Sequence, residues 1–317
     1  MKRVEIVIVN FRTPGLVIDC LHSLAGEVRS DADCHVVVVE NGSGDDSGKK
    51  LQDAIETNNW GSWVTLLPAE KNLGFAGGSN VALRPLVASG TMPDYVLLLN
   101  PDTVVRPGAI RGLVEFMEAN PQVGIAGTRL EDPDGTPQRS AFRFPCVSSE
   151  FENGVRLGFI SRLLANRLVA PPVQDQPHVT DWVAGASMIV RPAVLTQVGV
   201  MDEDYFLYFE ETDFCLQAKR AGWPCWYVPA SRVIHLVGQA SGVTDVKNPA
   251  KRVPRYWFES RRRYFVKNHG WFYAKAADTA WLTGFALWRI RRRLQGKPDQ
   301  DPPHLLWDFF RFNFLPG

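Results

Sequence analysis

The stretch from Tyr95 to Asp102 is the feature that most constrains the fold of this chain. It is a continuous apolar run, Tyr95–Leu99, that ends on Asn100-Pro101-Asp102. A run that is apolar on both faces is typical of a parallel strand covered by helices on both sides of a sheet. Ligands of open α/β sheets bind beyond the carboxyl ends of the strands, where this run places Asp102. A carboxylate there suits a hard divalent cation that carries a diphosphate, while a turn that only closes a core strand is an equal alternative from this stretch alone.

The first 130 residues alternate between strand and helix patterns, which predicts an α/β fold with a mostly parallel central sheet flanked by helices. The predicted strands are Val4–Phe11, His35–Asn41, Trp63–Pro68, Asp94–Asn100 and Val123–Arg129. The predicted helices are Pro14–Val28, Asp46–Thr57, Gly77–Ala88 and Pro107–Ala119.

The pattern becomes less regular after residue 130. It predicts a turn at Glu131–Gly135, a strand at Trp182–Arg191, a helix at Glu210–Ala221, and short strands at 226–228 and 233–235. Residues 150–180 are weakly patterned and are expected to cover the sheet as helix and loop. The chain of 317 residues is long enough for one large or two medium domains. We expect a domain over 1–245 with halves 1–130 and 131–245, followed by a basic, aromatic-rich helical region over 246–317.

Cysteine usage and hydropathy exclude several classes of protein. The five cysteines form no Cys-x-x-Cys pair, which predicts reduced thiols in a cytoplasmic protein. Met1-Lys2-Arg3 leads directly into a strand pattern, so no signal peptide is expected. The apolar stretch Ala280–Trp288 is far shorter than the roughly 20 residues that span a bilayer, so the chain is not expected to cross a membrane.

The net charge of +1 conceals a strongly basic segment. Residues 251–297 contain 13 Lys and Arg against Glu259 and Asp278, a net charge of +11, which leaves −10 for the rest of the chain. The same segment contains five aromatic clusters. Basic residues beside interfacial aromatics predict peripheral contact with an anionic membrane. There are two alternatives to membrane contact: the segment binds nucleic-acid phosphates, or it is a plain solvated helical face. The aromatic content argues against the second.

Polar side chains follow the first four predicted strands at their carboxyl ends. They are Asn10, Glu40 with Asn41, Asn72 and Asp102. Because neighbouring parallel strands end at one rim, a single crevice is expected to collect these side chains. The glycine-rich segment 71–80 opens a helix, which suits a phosphate, but an ordinary tight turn is as good an interpretation.

A second acidic cluster, Glu210-Glu211-Thr212-Asp213, directly follows the aromatic segment Tyr205–Phe209. Acidic residues in a first turn stabilise the helix dipole, and this is the structural alternative. Neighbouring rings desolvate a carboxylate, raise its pKa and make it a better base, which is the functional one. His235 is a lone histidine in an apolar strand and is by itself an ordinary core residue.

These segments in their order resemble family 2 glycosyltransferases, and within them the bacterial branch that includes rhamnosyltransferases of cell-wall and polysaccharide biosynthesis. The resemblance covers residues 4–240. It is carried by the ordered set Val-Asn-Phe, Val-Glu-Asn-Gly-Ser, Asn-Leu-Gly-Phe-Ala-Gly-Gly-Ser-Asn, Leu-Asn-Pro-Asp, Gly-Ala-Ser-Met, Phe-Glu-Glu-Thr-Asp-Phe-Cys and Ile-His.

The resemblance implies a GT-A fold and inverting transfer of a sugar from a nucleotide-diphosphate donor. It makes 1–130 the nucleotide-sugar half and 131–245 the acceptor and catalytic half. It implies Mg²⁺ or Mn²⁺ on the donor diphosphate, held by Asp102 and His235, with Glu40 reading the base. The donor-binding residues that it implies are Asn10, Thr13, Glu40, Asn41, Asn72, Gly74, Asn80, Asn100 and Asp102.

The same resemblance makes Glu211 the general base that removes the proton of the acceptor hydroxyl. It places the acceptor floor at Asp181, Trp182, Gly185 and Glu210. For Trp182, stacking on a sugar ring and packing in the core remain equal alternatives. Because Asn100 stands where the family has its first carboxylate, we expect the metal to bind poorly without the nucleotide sugar.

The favoured donor is dTDP-rhamnose, and a UDP-hexose is the alternative. The expected acceptor is a nascent glycan or a polyprenyl-diphosphate-linked one, at the inner face of the cell membrane. A non-catalytic membrane partner with the same fold is a further alternative, and a homodimer is left open. No base-reading motif supports a nucleic-acid partner.

Overall fold

The computed structural model describes residues 2–30, 33–236, 238 and 251–315. The strands are β1 (Arg3–Asn10), β2 (Asp33–Asn41), β3 (Val64–Ala69), β4 (Tyr95–Leu99), β5 (Thr103–Val105), β6 (Ile125–Glu131), β7 (Ala141–Phe142), β8 (His178–Thr180), β9 (Trp182–Val183), β10 (Ser187–Val190) and β11 (Cys225–His235). The helices are α1 (Pro14–Ser30), α2 (Ser47–Thr57), α3 (Gly74–Ser89), α4 (Ala109–Ala119), α5 (Val147–Val155), α6 (Gly158–Leu163), α7 (Pro192–Val198), α8 (Glu210–Arg220), α9 (Arg255–His269), α10 (Trp271–Leu294) and α11 (Leu305–Phe314).

A nine-stranded sheet forms the centre of the described residues, in the order β3-β2-β1-β4-β10-β6-β11-β5, with β8 paired to β11. Six of its strands run in one direction, and β5, β8 and β10 run against them. All five residues of β4 are buried, because the strand lies between β1 and β10 under helices. The predicted mostly parallel α/β sheet is confirmed.

Two strand predictions need correction. The single strand predicted over Trp182–Arg191 is wrong, because the chain turns at Gly185 and forms two strands in two different sheets. The two short strands predicted at 226–228 and 233–235 are one strand, β11, with a bulge between Val228 and Arg232. Pro229 lies in that bulge, where its missing N–H costs no ladder hydrogen bond. An all-apolar sequence around Gly185 carries too little turn signal to indicate the break.

The chain divides into two compact units. The first contains residues 1–142, 172–206 and 210–244, and the second contains 143–171, 207–209 and 245–317. The sequence pattern does not indicate that 143–171 belongs with the C-terminal helices. The predicted boundary at 245 stays a prediction, since 239–250 lie outside the described residues.

The second unit has its own aromatic core. The rings of Trp281 and Phe309 stack with centroids 4.1 Å apart, and Phe258 and Phe285 complete the buried cluster with Leu305. Most of the aromatic residues that the sequence analysis assigns to a membrane surface therefore have a packing role. The aromatic content of 251–297 no longer argues by itself against a plain helical region.

Helices α5 and α10 cross at two glycines of this unit. A Cβ at Gly154 would lie 2.6 Å from the carbonyl oxygen of Trp281, and one at Gly284 would lie 2.6 Å from that of Phe151. Only glycine permits so close an approach of two helix backbones.

Candidate functional site

The carboxyl ends of β1 and β2 are joined by a polar network. Asn10 is fully buried, and its Oδ1 accepts hydrogen bonds from the backbone and hydroxyl of Thr13. Ser43 connects the two ends, because its hydroxyl accepts from the backbone of Arg12 and its own N–H donates to Glu40 Oε1 at 2.9 Å. The network holds the half-buried Glu40 carboxylate at the rim of the sheet with one oxygen engaged. Asn10, Thr13 and Glu40 therefore meet, as the sequence analysis expects.

The glycine-rich loop before α3 is tied to the end of β2 by amide side chains. Asn41 accepts from the backbone of Leu73 and donates to Asn72 Oδ1 and to the carbonyl of Gly74. Gly74 has a φ of +72°, and a Cβ there would lie 1.9 Å from the carbonyl oxygen of Phe206. Glycine is required on both counts. Asn41 and Asn72 set the shape of the loop, and their amide groups are used largely within the protein.

Asn80 lies further along α3 and is fully buried. Its side chain donates to the carbonyl of Met201 at 2.7 Å and to Glu203 Oε1, and it accepts from the backbone of Met201. These bonds use the polar atoms of the amide. Asn80 therefore anchors the segment before α8 to helix α3.

Asp102 and His235 come together across β5 and β11. Thr103 pairs with His235 in the antiparallel register, and the backbone of Leu236 donates to the Asp102 carbonyl. His235 Nε2 lies 3.5 Å from Asp102 Oδ1, with Asp102 buried. Gln138 holds the strand end in place by donating to the His235 carbonyl. One carboxylate and one imidazole thus converge at the same rim of the sheet.

This pair fits a divalent cation that is shared with a substrate. Within 2–30, 33–236, 238 and 251–315, no cluster of three or more His, Cys, Asp or Glu side chains is arranged to hold a metal. Mg²⁺ sites often use only one or two protein carboxylates together with substrate phosphates and water. An oxygen and a nitrogen donor from Asp102 and His235 match that kind of site. They do not match a metal caged by protein alone.

The first turn of α8 carries two carboxylates with perturbed acidity. Burial raises the pKa of Glu211, against the weaker opposing effect of hydrogen bonds from its own backbone and that of Gly185. Burial, reinforced by the charge of Glu211, raises the pKa of Glu210 well above its ordinary value. Glu211 Oε2 is enclosed and has no hydrogen-bond partner among the described residues. A carboxylate with a raised pKa and a vacant oxygen has the properties of a general base.

Gly185 joins this turn to the strand-end cluster. A Cβ at Gly185 would lie 3.3 Å from the ring of Phe75, which is a tight contact, and 3.8 Å from Glu211 Oε1, which is an ordinary van der Waals contact. The next residue, Ala186, accepts a hydrogen bond from the backbone of Asn100 at 3.0 Å. The loop 184–186 thus contacts the Asn100-Pro101-Asp102 segment and the Glu211 carboxylate.

Of the other two residues predicted to form the acceptor floor, Trp182 begins β9 of the small β7–β9 sheet and Asp181 directly precedes it. Trp182 stacks on Phe142 with centroids 4.2 Å apart, so one face of its half-buried ring is already covered. Asp181 accepts from Lys219 Nζ of α8 at 2.7 Å. The stack on Phe142 shows a packing role for Trp182, and stacking on a sugar ring stays a prediction.

Sequence reasoning missed several residues that build this site. Ser43 and Phe75 lie within two of the motifs that carry the resemblance, and Arg12 directly follows a third, but none of them was given a role. The Gly-Ser sequence after Asn41 is the signal that pointed nearest to Ser43, because glycine and serine mark a tight turn.

The sequence and fold resemble those of known proteins. The model of the glycosyltransferase-like family 2 matches residues 2–263. The N-acetylglucosaminyl-diphospho-decaprenol L-rhamnosyltransferase of Mycobacterium tuberculosis is 28% identical over 249 residues, 75% of this chain and 77% of that protein. The rhamnosyltransferase WbbL of Escherichia coli is 29% identical over 198 residues, 61% of this chain and 70% of that protein.

Among solved structures, GalNAc-T7 with UDP, GalNAc and Mn²⁺ superimposes with a TM-score of 0.62 at 14% identity. The match covers 99% of this chain, which spans 55% of that one. The likeness confirms the predicted GT-A-like fold.

Proposed function

The chain belongs to the glycosyltransferase-like family 2, and from this premise we propose that it transfers rhamnose from dTDP-rhamnose to a glycan acceptor with inversion at the anomeric carbon. The observation that carries the proposal is the Glu211 carboxylate, which has a raised pKa, an enclosed oxygen and a position beside Gly185. Inversion needs one direct displacement and therefore one base, which removes the proton of the attacking hydroxyl. Glu211 is that base, and no covalent nucleophile is required.

Glu210 assists by its position next to the base. Its buried side chain and raised pKa favour the protonated form, so it adds little negative charge beside Glu211. A neutral carboxyl group can donate a hydrogen bond to an acceptor hydroxyl.

Asp102 and His235 would hold Mg²⁺ or Mn²⁺ on the donor diphosphate. When bound, the cation supplies stabilisation of the negative charge on the departing diphosphate. Asn100 is neutral, so the donor's own phosphates have to complete the set of ligands. Metal affinity is therefore expected to be low until the nucleotide sugar binds. The Glu40 carboxylate lies at the end of β2 and serves the nucleotide base, as the resemblance implies.

The favoured donor rests on the names of the relatives. Those reported above are rhamnosyltransferases, and one of them acts on a diphospho-decaprenol acceptor. We infer a lipid-linked or nascent glycan as the acceptor on the same ground. A UDP-hexose is the second donor candidate, and the same assay compares the two.

The distribution of exposed apolar side chains supports peripheral contact with a membrane. Fifteen large apolar side chains are exposed in the described part of the chain, and twelve of them belong to the second unit. Phe272 and Leu294, at opposite ends of α10, are each 83% exposed. None of the helices in the described residues is both long and apolar enough to cross a membrane. Contact of the second unit with a bilayer surface accounts for this distribution.

Donor transfer in Glu211→Gln tests the assignment of the base. We expect the transfer rate with dTDP-rhamnose and Mn²⁺ to fall about 10²- to 10⁴-fold. The thermal shift caused by the donor should persist, because Gln preserves the shape of the site. Glu210→Gln removes a carboxyl group from the same helical turn and should cause a smaller fall. Equal loss in both variants, or full activity in Glu211→Gln, would exclude Glu211 as the base.

Sedimentation with anionic liposomes tests the membrane contact. Deleting 251–317 is unsuitable, because residues 143–171 pack in the same unit and would lose their core. The double variant Phe272→Ser/Leu294→Ser removes only exposed side chains. It should sediment less than the wild-type protein at unchanged thermal stability, and unchanged sedimentation would reject this face.

A further inference from the structure

The second unit contains a groove that is lined by none of the residues assigned above to the donor, the metal, the base or the acceptor. It is lined by α9 and α11 together with Arg252 and Val253, and it has a volume of about 1050 Å³. We propose that this groove binds the phosphate head group and the first carbons of an anionic membrane phospholipid. The proposal deepens the membrane contact proposed above and rests on it.

Each helix contributes one continuous stripe to the groove. The α9 stripe follows the helical repeat and consists of Arg255, Phe258, Glu259, Arg262, Arg263, Val266 and Lys267. The α11 stripe consists of Asp308, Arg311, Phe312 and Leu315. Both stripes mix cationic and apolar side chains, which is the chemistry of an amphiphilic anion.

The charge of the groove is strongly positive. Its lining contains six Arg and Lys side chains against Glu259 and Asp308, a net charge of +4. Both carboxylates are matched within the lining. Arg252 binds Asp308 in bidentate fashion at 2.6 and 2.7 Å, and Arg255 binds Glu259 at 2.7 Å. Arg262 and Arg311 add two further guanidinium groups to the lining, and arginine binds phosphate well through its planar donors.

The floor of the groove is apolar and adjoins the unit's core. Phe258 is buried in the aromatic cluster and Phe312 packs against it. The guanidinium of Arg262 lies 5.8 Å from the centre of the Phe312 ring, so a cation stands directly over an apolar surface. Val266 and Leu315 are 38% and 42% exposed. A phosphate at Arg262 would thus place an attached acyl chain against Phe312 and Leu315.

These features favour a phospholipid over a free anion or a neutral amphiphile. A free phosphate would use the cations and leave the apolar floor in water. A neutral amphiphile would use the floor and form no ion pair with Arg262 and Arg311. Only a ligand with both parts uses the whole groove, and an anionic bilayer supplies such a ligand at the surface that the second unit is proposed to face.

The test measures binding of short-chain lipids to the full chain below their micelle concentration. Dihexanoyl phosphatidic acid should bind, and dihexanoyl phosphatidylcholine and inorganic phosphate should each bind at least about tenfold more weakly, because each lacks one half of the interaction. Arg262→Gln/Arg311→Gln should weaken binding of the phosphatidic acid by about tenfold or more. Leu315→Asn should weaken the lipid and leave the affinity for inorganic phosphate unchanged.

The matched control is Arg293→Gln/Lys297→Gln, which removes the same charge from exposed positions outside the groove. It should bind the lipid like the wild-type protein. Equal weakening by both double variants would mean diffuse attraction and overturn the proposal. Inorganic phosphate bound as tightly as the lipid would leave only a simple anion site, and phosphatidylcholine bound as tightly would leave only an apolar one.

Donor transfer and the donor's thermal shift are measured on the same variants. If the groove does not bind lipid, donor transfer and the donor's thermal shift are still observed. If the protein is not a glycosyltransferase, both of these signals are absent and lipid binding is unchanged. The two proposals can therefore fail separately.

Discussion

Arg261 holds the second unit together through two buried ion pairs, and replacing it with methionine is expected to destabilise the protein in a pH-dependent way. Its side chain is 2% exposed and binds Glu150 at 2.7 Å and Asp278 at 2.5 Å, which joins α5, α9 and α10. Methionine keeps much of the length and apolar volume of arginine. The variant Arg261→Met thus leaves the packing and removes the positive charge from two buried carboxylates.

The loss of stability in Arg261→Met can be calculated from what happens to Glu150. Asp278 keeps a cation at 3.5 Å, Lys275, whereas Glu150 loses the partner that neutralises it. A buried glutamate without a partner takes up a proton. With an ordinary pKa of about 4.3, this costs about 3.7 kcal/mol at pH 7 and about 1 kcal/mol at pH 5. Breaking a buried pair by removing one partner typically costs about 3–5 kcal/mol, which agrees with the value at pH 7.

The sign of the pH dependence follows from the proton. Without Arg261 a stranded buried carboxylate is tolerated in the folded state only when it is neutral, so the folded state of the variant binds more protons than the unfolded state and stability is lost as pH rises. Urea unfolding at pH 5 and pH 7 should therefore show the larger loss at pH 7. Adding Glu150→Met to Arg261→Met should recover most of it, since an apolar replacement of a buried pair is often neutral.

Arg252→Met is the matched control, because Arg252 also forms a bidentate pair but is largely exposed. Its effect should be much smaller and nearly independent of pH. If Arg261→Met were no worse than Arg252→Met, or equally destabilised at both pH values, the assignment of the cost to a stranded buried carboxylate would be refuted.

Three further changes test the first unit. Gly74→Ala should lower the melting temperature far more than Gly44→Ala. Both glycines have a positive φ, but only at Gly74 would the added Cβ clash with a backbone atom, the carbonyl oxygen of Phe206. Equal effects of the two variants in calorimetry would mean that backbone strain alone explains the loss. Glu210→Gln should be neutral near pH 4 and increasingly stabilising toward pH 8. The pKa of Glu210 is raised in the folded state, so the wild-type protein loses stability as pH rises, and glutamine removes this loss. A pH-independent difference between the two proteins in thermal unfolding would contradict this. Asn80→Ala should lower the free energy of unfolding in urea by about 1–3 kcal/mol, because the backbone N–H and carbonyl of Met201 lose their hydrogen-bond partner. No change in stability would show that the 201–203 segment repacks.

Strand and helix positions in the first 130 residues were predictable because local periodicity reports which faces are apolar. The β4 run is the best example: five consecutive apolar residues predict a central strand, and all five are buried. The polar residues at the strand ends were predictable for the same reason, since strand ends of a parallel sheet share one rim. The break at Gly185 was not, because its cause is a ring and a carboxylate from distant segments.

The roles of the candidate residues were only partly predictable. Residue type correctly indicated polar groups at the strand ends. The side-chain amides of Asn41 and Asn80, however, form hydrogen bonds that anchor a loop and a helix within the protein. An asparagine that binds a ligand and one that binds a backbone look the same in sequence. What distinguishes them is which backbone groups lie within hydrogen-bond distance.

The sequence by itself determined the α/β class, the family and the residues that can do acid–base and metal chemistry, because these depend on local pattern and on residue type. Tertiary structure alone decided that His235 lies beside Asp102, that Gly185 touches Glu211, and that residues 143–171 form a core with the C-terminal helices. It also decided that several of the C-terminal aromatics form a buried core. These are contacts between segments far apart in the chain, and no local pattern encodes which distant face will cover an apolar side chain.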